Sequence, residues 1–440
     1  MGKILIKDCT IVPISGPVIE EGVIAINDDR LHYVGPAGGV PAGWQADTVI
    51  EAGDMVALPG LVNSHTHAAM TLLRSFADDL PLKQWLEEKI WPREAKLERE
   101  DIYWGTKLAL LEMIRSGTTT FADMYFHMDA VAEAVVEAGL RACLSQGLIG
   151  FQDRGGQRLA TGVSLVKEWH GAGDGRVTTM LGPHAPYTCP PEYLTKVAET
   201  AAGLGVGLHI HLAETKEEVE NVRAQYGYTP VALAAKLGLF ELPTLAAHCV
   251  HLTTEEIALL AEKKVGVAHC PESNLKLASG VAPVAAMLAA GVNVAIGTDG
   301  AASNNNLDMV AEMRTCALLA KGITGDPTVV PAHQALVMAT LNGARALGLE
   351  KEIGTLEAGK KADLILVNKH QPHLMPPHDV EANLVYAARG SDVDTVIVNG
   401  KILMAAGEVK TMDAGEIYAQ VMKRAGRGQK KFHLLPRLRG

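Results

Sequence analysis

Between residues 56 and 303 the chain repeats one theme eight times: a short apolar, β-branched run that ends in polar or acid–base residues, then a helical stretch rich in Ala, Leu and Glu. The runs cover residues 56–67, 118–124, 141–149, 177–184, 206–214, 245–251, 265–271 and 292–299. Strands that alternate with helices pair in parallel, and eight of them predict an α/β fold closed as a (β/α)8 TIM-type barrel. An open doubly wound sheet is the alternative. No G-x-G-x-x-G follows an early strand, which counts against its dinucleotide-binding version.

The chain ends read differently. Residues 3–55 and 361–411 offer short strands such as Lys3-Ile4-Leu5-Ile6-Lys7 and Thr395-Val396-Ile397-Val398, with turns at Asn27-Asp28-Asp29 and Gly35-Pro36. Each block is too small and too edge-rich to stand alone, so both are expected to pair into one composite β-sandwich domain. The predicted organisation is residues 1–56 plus 360–412 as that domain, 57–359 as the catalytic barrel, and 413–440 as a C-terminal helix and basic tail. The tail reads as a solvated or subunit-contacting extension, which leaves a homo-oligomer open.

With 20% charged residues and a net charge of −10 over 440 residues, the chain has no basic footprint for nucleic acid or a membrane surface. The expected partner is a small molecule. Six scattered cysteines without a C-x-x-C pair suggest neither a disulfide framework nor a zinc ribbon, so a reducing, cytoplasmic setting is expected. The most apolar window, 281–296, is interrupted by Pro283, Gly291 and Asn293 and splits into a helix, a glycine stop and a strand.

Chemistry concentrates at the ends of the runs. His65 and His67 in Asn63-Ser64-His65-Thr66-His67 share one side of an extended strand and can reach one metal ion. Chance alone supplies roughly 0.6 such pairs in a chain with this histidine content, and His209/His211 is a second one, so the spacing needs context. The other runs supply it: the fourth ends in His184, the fifth in His211 and Glu214, the sixth in His248 and the eighth in Asp299. In a barrel these positions converge on one pocket. His65, His67, His211 and Asp299 suit one divalent ion, Zn²⁺ foremost, with Fe²⁺, Mn²⁺ or Co²⁺ also compatible. The fourth run ends Met180-Leu181-Gly182-Pro183-His184 without a lysine to bridge a second ion, which favours a single metal. Glu214 is placed as a proton shuttle, His248 as a group that polarises the attacking water, and Asp299 as a ligand whose second oxygen holds that water. His209 is read as a core residue or one that backs a ligand, and His251 and His269 are left without a role.

Taken in order, these motifs resemble the amidohydrolase superfamily and, within it, the 5-methylthioadenosine/S-adenosylhomocysteine deaminases. The resemblance spans essentially the whole chain. It is carried by residues 59–67, 182–187 (Gly-Pro-His-Ala-Pro-Tyr), 209–215 (His-Ile-His-Leu-Ala-Glu-Thr), 247–252, 271–277 (Pro-Glu-Ser-Asn-Leu-Lys-Leu) and 297–304. It implies hydrolytic deamination of an adenine nucleoside at C6, with Glu214 moving a proton to N1, Asp299 helping to protonate the departing amine, and His184 orienting substrate. It also implies that Trp85 packs on the nucleoside, that Glu94 accepts both ribose hydroxyls, and that Ser303 contacts the purine. Arg158 would serve the amino-acid end of S-adenosylhomocysteine. Gln146 stands where family members can carry another arginine, and an amide cannot replace a guanidinium there. Related triazine hydrolases and guanine or cytosine deaminases share the metal motifs; Glu94 discriminates, because it matters only if a ribose is bound. A metal-free structural relative would lack ligands, and all four are present.

Overall fold

The computed structural model describes residues 2–40 and 43–425. Eight parallel strands form one sheet in sequence order: Leu61–Thr66, Thr118–Tyr125, Arg141–Leu148, Val177–Pro183, Leu208–Leu212, Thr244–His248, Gly266–His269 and Asn293–Ile296. The sheet curls into a nearly closed barrel, as the alternating pattern predicts. One residue from each of seven strands (Val62, Ala122, Cys143, Met180, Leu245, Ala268 and Ala295) meets in a single apolar cluster, which only the inside of a ring permits. Ala344, Leu347 and Ile353 join that cluster.

The seam between the last and first strands is closed at the end that carries the site. Asp299 N–H donates to His65 O at 2.9 Å, and Asn63 exchanges hydrogen bonds with Thr298 through its side chain. This approach requires Gly297, because a Cβ there would sit 2.6 Å from the His65 nitrogen.

The chain ends pair, as expected, into a separate mixed sheet of nine strands. Lys3–Ile11, Ile19–Asn27 and Arg30–Pro36 form an antiparallel meander, and Met55–Pro59 joins it to Leu364–Asn368, Val393–Val398, Lys401–Ala405 and Glu408–Val409. The sheet is continuous and buries its own core, including Ile6, Ile11, Ile24, Ile26, Leu364 and Ile397. The C-terminal helix Ala414–Ala425 packs Ile417 and Val421 against Leu111; the basic tail from Arg427 onward lies outside the described residues. No helix among the described residues is long and apolar enough to cross a membrane.

One buried ion pair fastens the two parts. Arg141, at the start of the third barrel strand, reaches both carboxylate oxygens of Asp363 at 2.8 and 3.2 Å, and Asp363 Oδ1 also accepts the Asn399 N–H at 2.7 Å. The two side chains are 3% and 2% exposed, so removing one partner strands a charge without water. Arg141→Met is expected to cost about 3–5 kcal/mol in denaturant unfolding, and pairing it with Asp363→Asn should recover part of that loss.

Candidate metal centre and active site

The strand ends converge as barrel topology requires. His65 and His67 leave the first strand, His184 follows the fourth, His209 and His211 lie on the fifth, His248 closes the sixth and Asp299 follows the eighth. The backbone bends sharply just there: Ala213, His248 and Asp299 adopt φ of 51°, 73° and 59°, a region non-glycine residues avoid unless tertiary contacts hold them. The turn at Ala213 swings Glu214 back over the barrel mouth.

The hydrogen bonds of the three imidazoles decide which nitrogens face the centre. His67 Nδ1 lies 2.6 Å from Met124 O and His211 Nδ1 lies 2.8 Å from His184 O. Carbonyls only accept, so both Nδ1 atoms carry hydrogen and both Nε2 atoms of the neutral rings present lone pairs. Those two Nε2 atoms are 3.3 Å apart, too close for unprotonated nitrogens with nothing between them. His65 Nε2 is buried with no hydrogen-bond partner and lies 3.5 Å from Asp299 Oδ1, while His67 Nε2 lies 3.2 Å from the same oxygen. Donor atoms of His65, His67 and His211 all fall within 4.8 Å of one another. A divalent cation satisfies all of these lone pairs at once, so the donor set fits a metal ion. Burial pushes His65 down to about 4, helped by His67 and His248 against the pull of Asp299, and it drives His211 well below its usual range. Neutral rings are the form that binds metal.

His209 backs the cluster: its Nε2 sits 2.8 Å from His65 Nδ1 and its Nδ1 faces Ser145 Oγ at 3.5 Å, which orients the His65 ring.

Asp299 is held as tightly as the imidazoles. Gly300 N–H donates to Oδ1 at 2.8 Å, and the hydroxyls of Ser273 and Ser303 donate to Oδ2 at 2.7 and 2.8 Å. Two serine hydroxyls therefore occupy the oxygen that the sequence reading reserves for the attacking water, and Ser303 is engaged with the carboxylate while it lines the cavity. Burial alone would raise the Asp299 carboxyl, but His65, His67 and His248 outweigh it and hold the group well below the usual range.

Glu214 and His248 face one another, with Oε2 and Nε2 3.7 Å apart. Asn274 Oδ1 fixes the His248 ring through Nδ1 at 2.8 Å. Burial, with the Asp299 charge, raises the Glu214 carboxyl against the opposing effects of His248 and Ser279. His248 would be lowered by burial, yet Glu214, Asp299 and Asn274 together raise it. Both groups are shifted upward while they face one another, as members of an acid–base pair can be.

The cavity above the metal donors is lined by His67, Trp85, Glu94, His184, His211, Glu214, His248, Asp299 and Ser303. Trp85 and Glu94 come from the segment that follows the first strand. They are nine positions apart, about 900° on an ideal α-helix, which would put them on opposite faces. A π-helical turn over Trp85–Ile90, between short α-helical turns at Leu82–Gln84 and Trp91–Glu94, winds more slowly and brings both to one cavity. Glu94 Oε1 accepts the Tyr125 hydroxyl at 2.6 Å, and its carboxyl is raised by burial against that bond. Tyr125, at the end of the second strand, is a site residue that sequence reasoning missed; its position at a strand terminus was the available signal. His184 is pinned through Nδ1 to Thr188 Oγ1 at 2.9 Å.

Arg158 is placed elsewhere. Its guanidinium donates to Gln152 Oε1 at 2.8 Å and lies over the Phe126 ring at 5.4 Å. It lines an adjoining cavity with Gln146, whose buried Oε1 has no partner. The two cavities share Trp91, Glu94, Tyr125, Phe126 and Ile149. Of the two histidines left without a role, His251 donates from Nε2 to Ser279 O at 2.7 Å, and His269 is a fully buried ring that burial pushes down to about 3.

The Amidohydrolase family profile matches residues 56–403. A 5-methylthioadenosine/S-adenosylhomocysteine deaminase from Moorella thermoacetica is 87% identical over 428 residues, covering 97% of this chain and all of the relative. A crystal structure of an adenosine deaminase from Xanthomonas campestris with bound zinc superposes with a TM-score of 0.93 at 39% identity, covering 96% of this chain and 98% of that one. An atrazine chlorohydrolase from Arthrobacter aurescens complexed with zinc superposes at 0.89 and 27% identity, over 96% and 100% of the two chains. With ring order, metal donors and sequence in agreement, the chain belongs to the amidohydrolase family and, within it, to the 5-methylthioadenosine/S-adenosylhomocysteine deaminase family.

Proposed function

We propose that this protein is a metal-dependent hydrolytic deaminase of adenine nucleosides, converting 5′-methylthioadenosine and S-adenosylhomocysteine, with adenosine in its range, to the inosine analogue and ammonia. The observation that carries this reading is Glu94 beside Trp85 in the cavity that also holds Glu214 and the metal donors. A ribose cis-diol presents two donors to this buried carboxylate, which a triazine or a free base lacks. The substrate named for the Moorella relative supports the same choice. We assign Zn²⁺ to His65, His67, His211 and Asp299, supported by the zinc in the Xanthomonas structure; these donors would also accept Fe²⁺, Mn²⁺ or Co²⁺. Six free, buried thiols support a cytoplasmic setting.

When bound, the ion supplies Lewis acidity, which lowers the pKa of a coordinated water toward ~7. Glu214 takes a proton from the attacking water and passes it to purine N1, which makes C6 an electron acceptor. His248, steered by Asn274, faces Glu214 Oε2 and the water from the next strand. Asp299, fixed by Ser273 and Ser303, passes the second proton of the added water to the amine, so that the C6–N bond breaks and ammonia leaves. Trp85 and His184 hold the nucleoside, and Glu94 binds its ribose.

Glu214→Gln preserves shape but cannot shuttle protons, so it should keep its metal by elemental analysis and lose about 10²–10⁴-fold in ammonia release. Turnover near that of the parent would remove Glu214 from the reaction. Glu94→Ala should lower kcat/KM for nucleosides about 10–150-fold, the worth of hydrogen bonds to a charged group, and leave any activity on free adenine unchanged. Because Gln146 offers no charge, kcat/KM for methylthioadenosine or adenosine should equal or exceed that for S-adenosylhomocysteine. A large preference for the carboxylate-bearing substrate would contradict this assignment.

A further inference from the structure

We infer that Ser279 is the positioning residue of the proton carrier Glu214, locked in place by His251, an inference that rests on the deaminase reading above. Ser279 lies in the loop that leaves helix Pro271–Lys276 and is 6% exposed. Its hydroxyl donates to Glu214 Oε1 at 3.0 Å. The other oxygen, Oε2, is the one turned toward His248. The hydroxyl thus divides the carboxylate into an anchored oxygen and a working one, which a freely rotating carboxylate would not have.

The anchor is itself held on both sides. Ser279 N–H donates to Asn274 O at 2.9 Å, and Ser279 O accepts His251 Nε2–H at 2.7 Å. The chain then turns through Gly280 at φ 126°, where a Cβ would meet Val250 Cγ1 at 2.9 Å, so this turn requires glycine. Asn274 also steers His248 through its side chain, so this helix and the loop that leaves it set the direction of both members of the pair.

The backbone of Glu214 is pinned from the opposite side. Glu218, on the first turn of helix Lys216–Tyr226, accepts the N–H groups of Ala213 at 3.2 Å and Glu214 at 2.7 Å. Ala213 O in turn accepts the Val250 and His251 N–H groups at 3.0 and 2.9 Å. With the backbone fixed, the remaining freedom of Glu214 lies in its side-chain torsions, and the Ser279 hydroxyl restrains the carboxylate at their end. His251 therefore serves the reaction twice over, through its own N–H on the Glu214 turn and through its ring on Ser279.

The test compares Ser279→Ala and Ser279→Cys with the parent in steady-state ammonia release from methylthioadenosine, on protein whose metal content and thermal midpoint match the parent. Cys keeps the volume but donates weakly, so a hydrogen-bond role predicts that both variants lose kcat about 10–100-fold, the scale of a misplaced catalytic group, with KM within about threefold. Parental kcat in Ser279→Cys, or a loss confined to KM, would overturn the assignment in favour of packing. If Ser279→Ala fails to fold, Ser279→Cys decides alone. A parent without deaminase activity would refute the proposed function itself, whereas an active parent with an active Ser279→Cys would refute only the role of Ser279.

Discussion

Two lone pairs at 3.3 Å govern this molecule's centre. Met124 O and His184 O take the Nδ1 hydrogens of His67 and His211, and the Nε2 atoms are left facing one another. The carbonyls belong to the ends of the second and fourth strands, so the repulsion is built by the ring itself. A cation turns it into attraction. An ion bound there would stabilise the fold, and the fold fixes which nitrogen each ring offers. The seam bond from Asp299 N–H to His65 O places the fourth donor, so the closure of the sheet and the closure of the coordination set are one event.

Around that centre, buried polar groups do the aligning. Glu312 is fully buried, which pushes its carboxyl well above the usual range, and it accepts the Asn304 amide and the Glu272 N–H. Asn304 also donates to Thr298 O at 2.8 Å. Glu312 therefore joins the loops after the seventh and eighth strands, the same loops that bring Ser273, Asn274 and Ser303 to Asp299 and His248. Arg74 joins a third loop to this group through Glu112 and Asn305 O. In a low-dielectric interior such bonds are stiff, and stiffness keeps acid, base and metal donors within reach of one atom.

The barrel was legible because eight β-branched runs alternate with helices, a pattern set by local chemistry. The metal donors were legible because strand ends are a topological address: His65, His67, His211 and Asp299 could be named before any distance was known. What resisted reading was contact between residues remote in sequence. Tyr125 reaches Glu94 across the cavity, and Ser279 reaches Glu214 from 65 positions away; neither carries a local pattern that marks it. The two serines that donate to the second oxygen of Asp299 are hidden for the same reason, since they come from separate elements. The π turn that aligns Trp85 with Glu94 is equally invisible to helical periodicity.

Substrate choice then resides away from the chemistry. In the proposed reaction the metal donors, Glu214 and His248 would act on a purine edge that all adenine nucleosides share, and so would not tell a methylthio group from an amino-acid tail. That distinction falls to the wall between the two cavities, where Arg158 already has Gln152 and Phe126 as neighbours and Gln146 contributes no charge. A carboxylate that reaches Arg158 shares the guanidinium with the Gln152 amide and an aromatic face. It gains the contact of one cation, less than two arginines would give. A neutral 5′ substituent needs no such contact, so the proposed preference rests on what surrounds Arg158 rather than on the reaction centre.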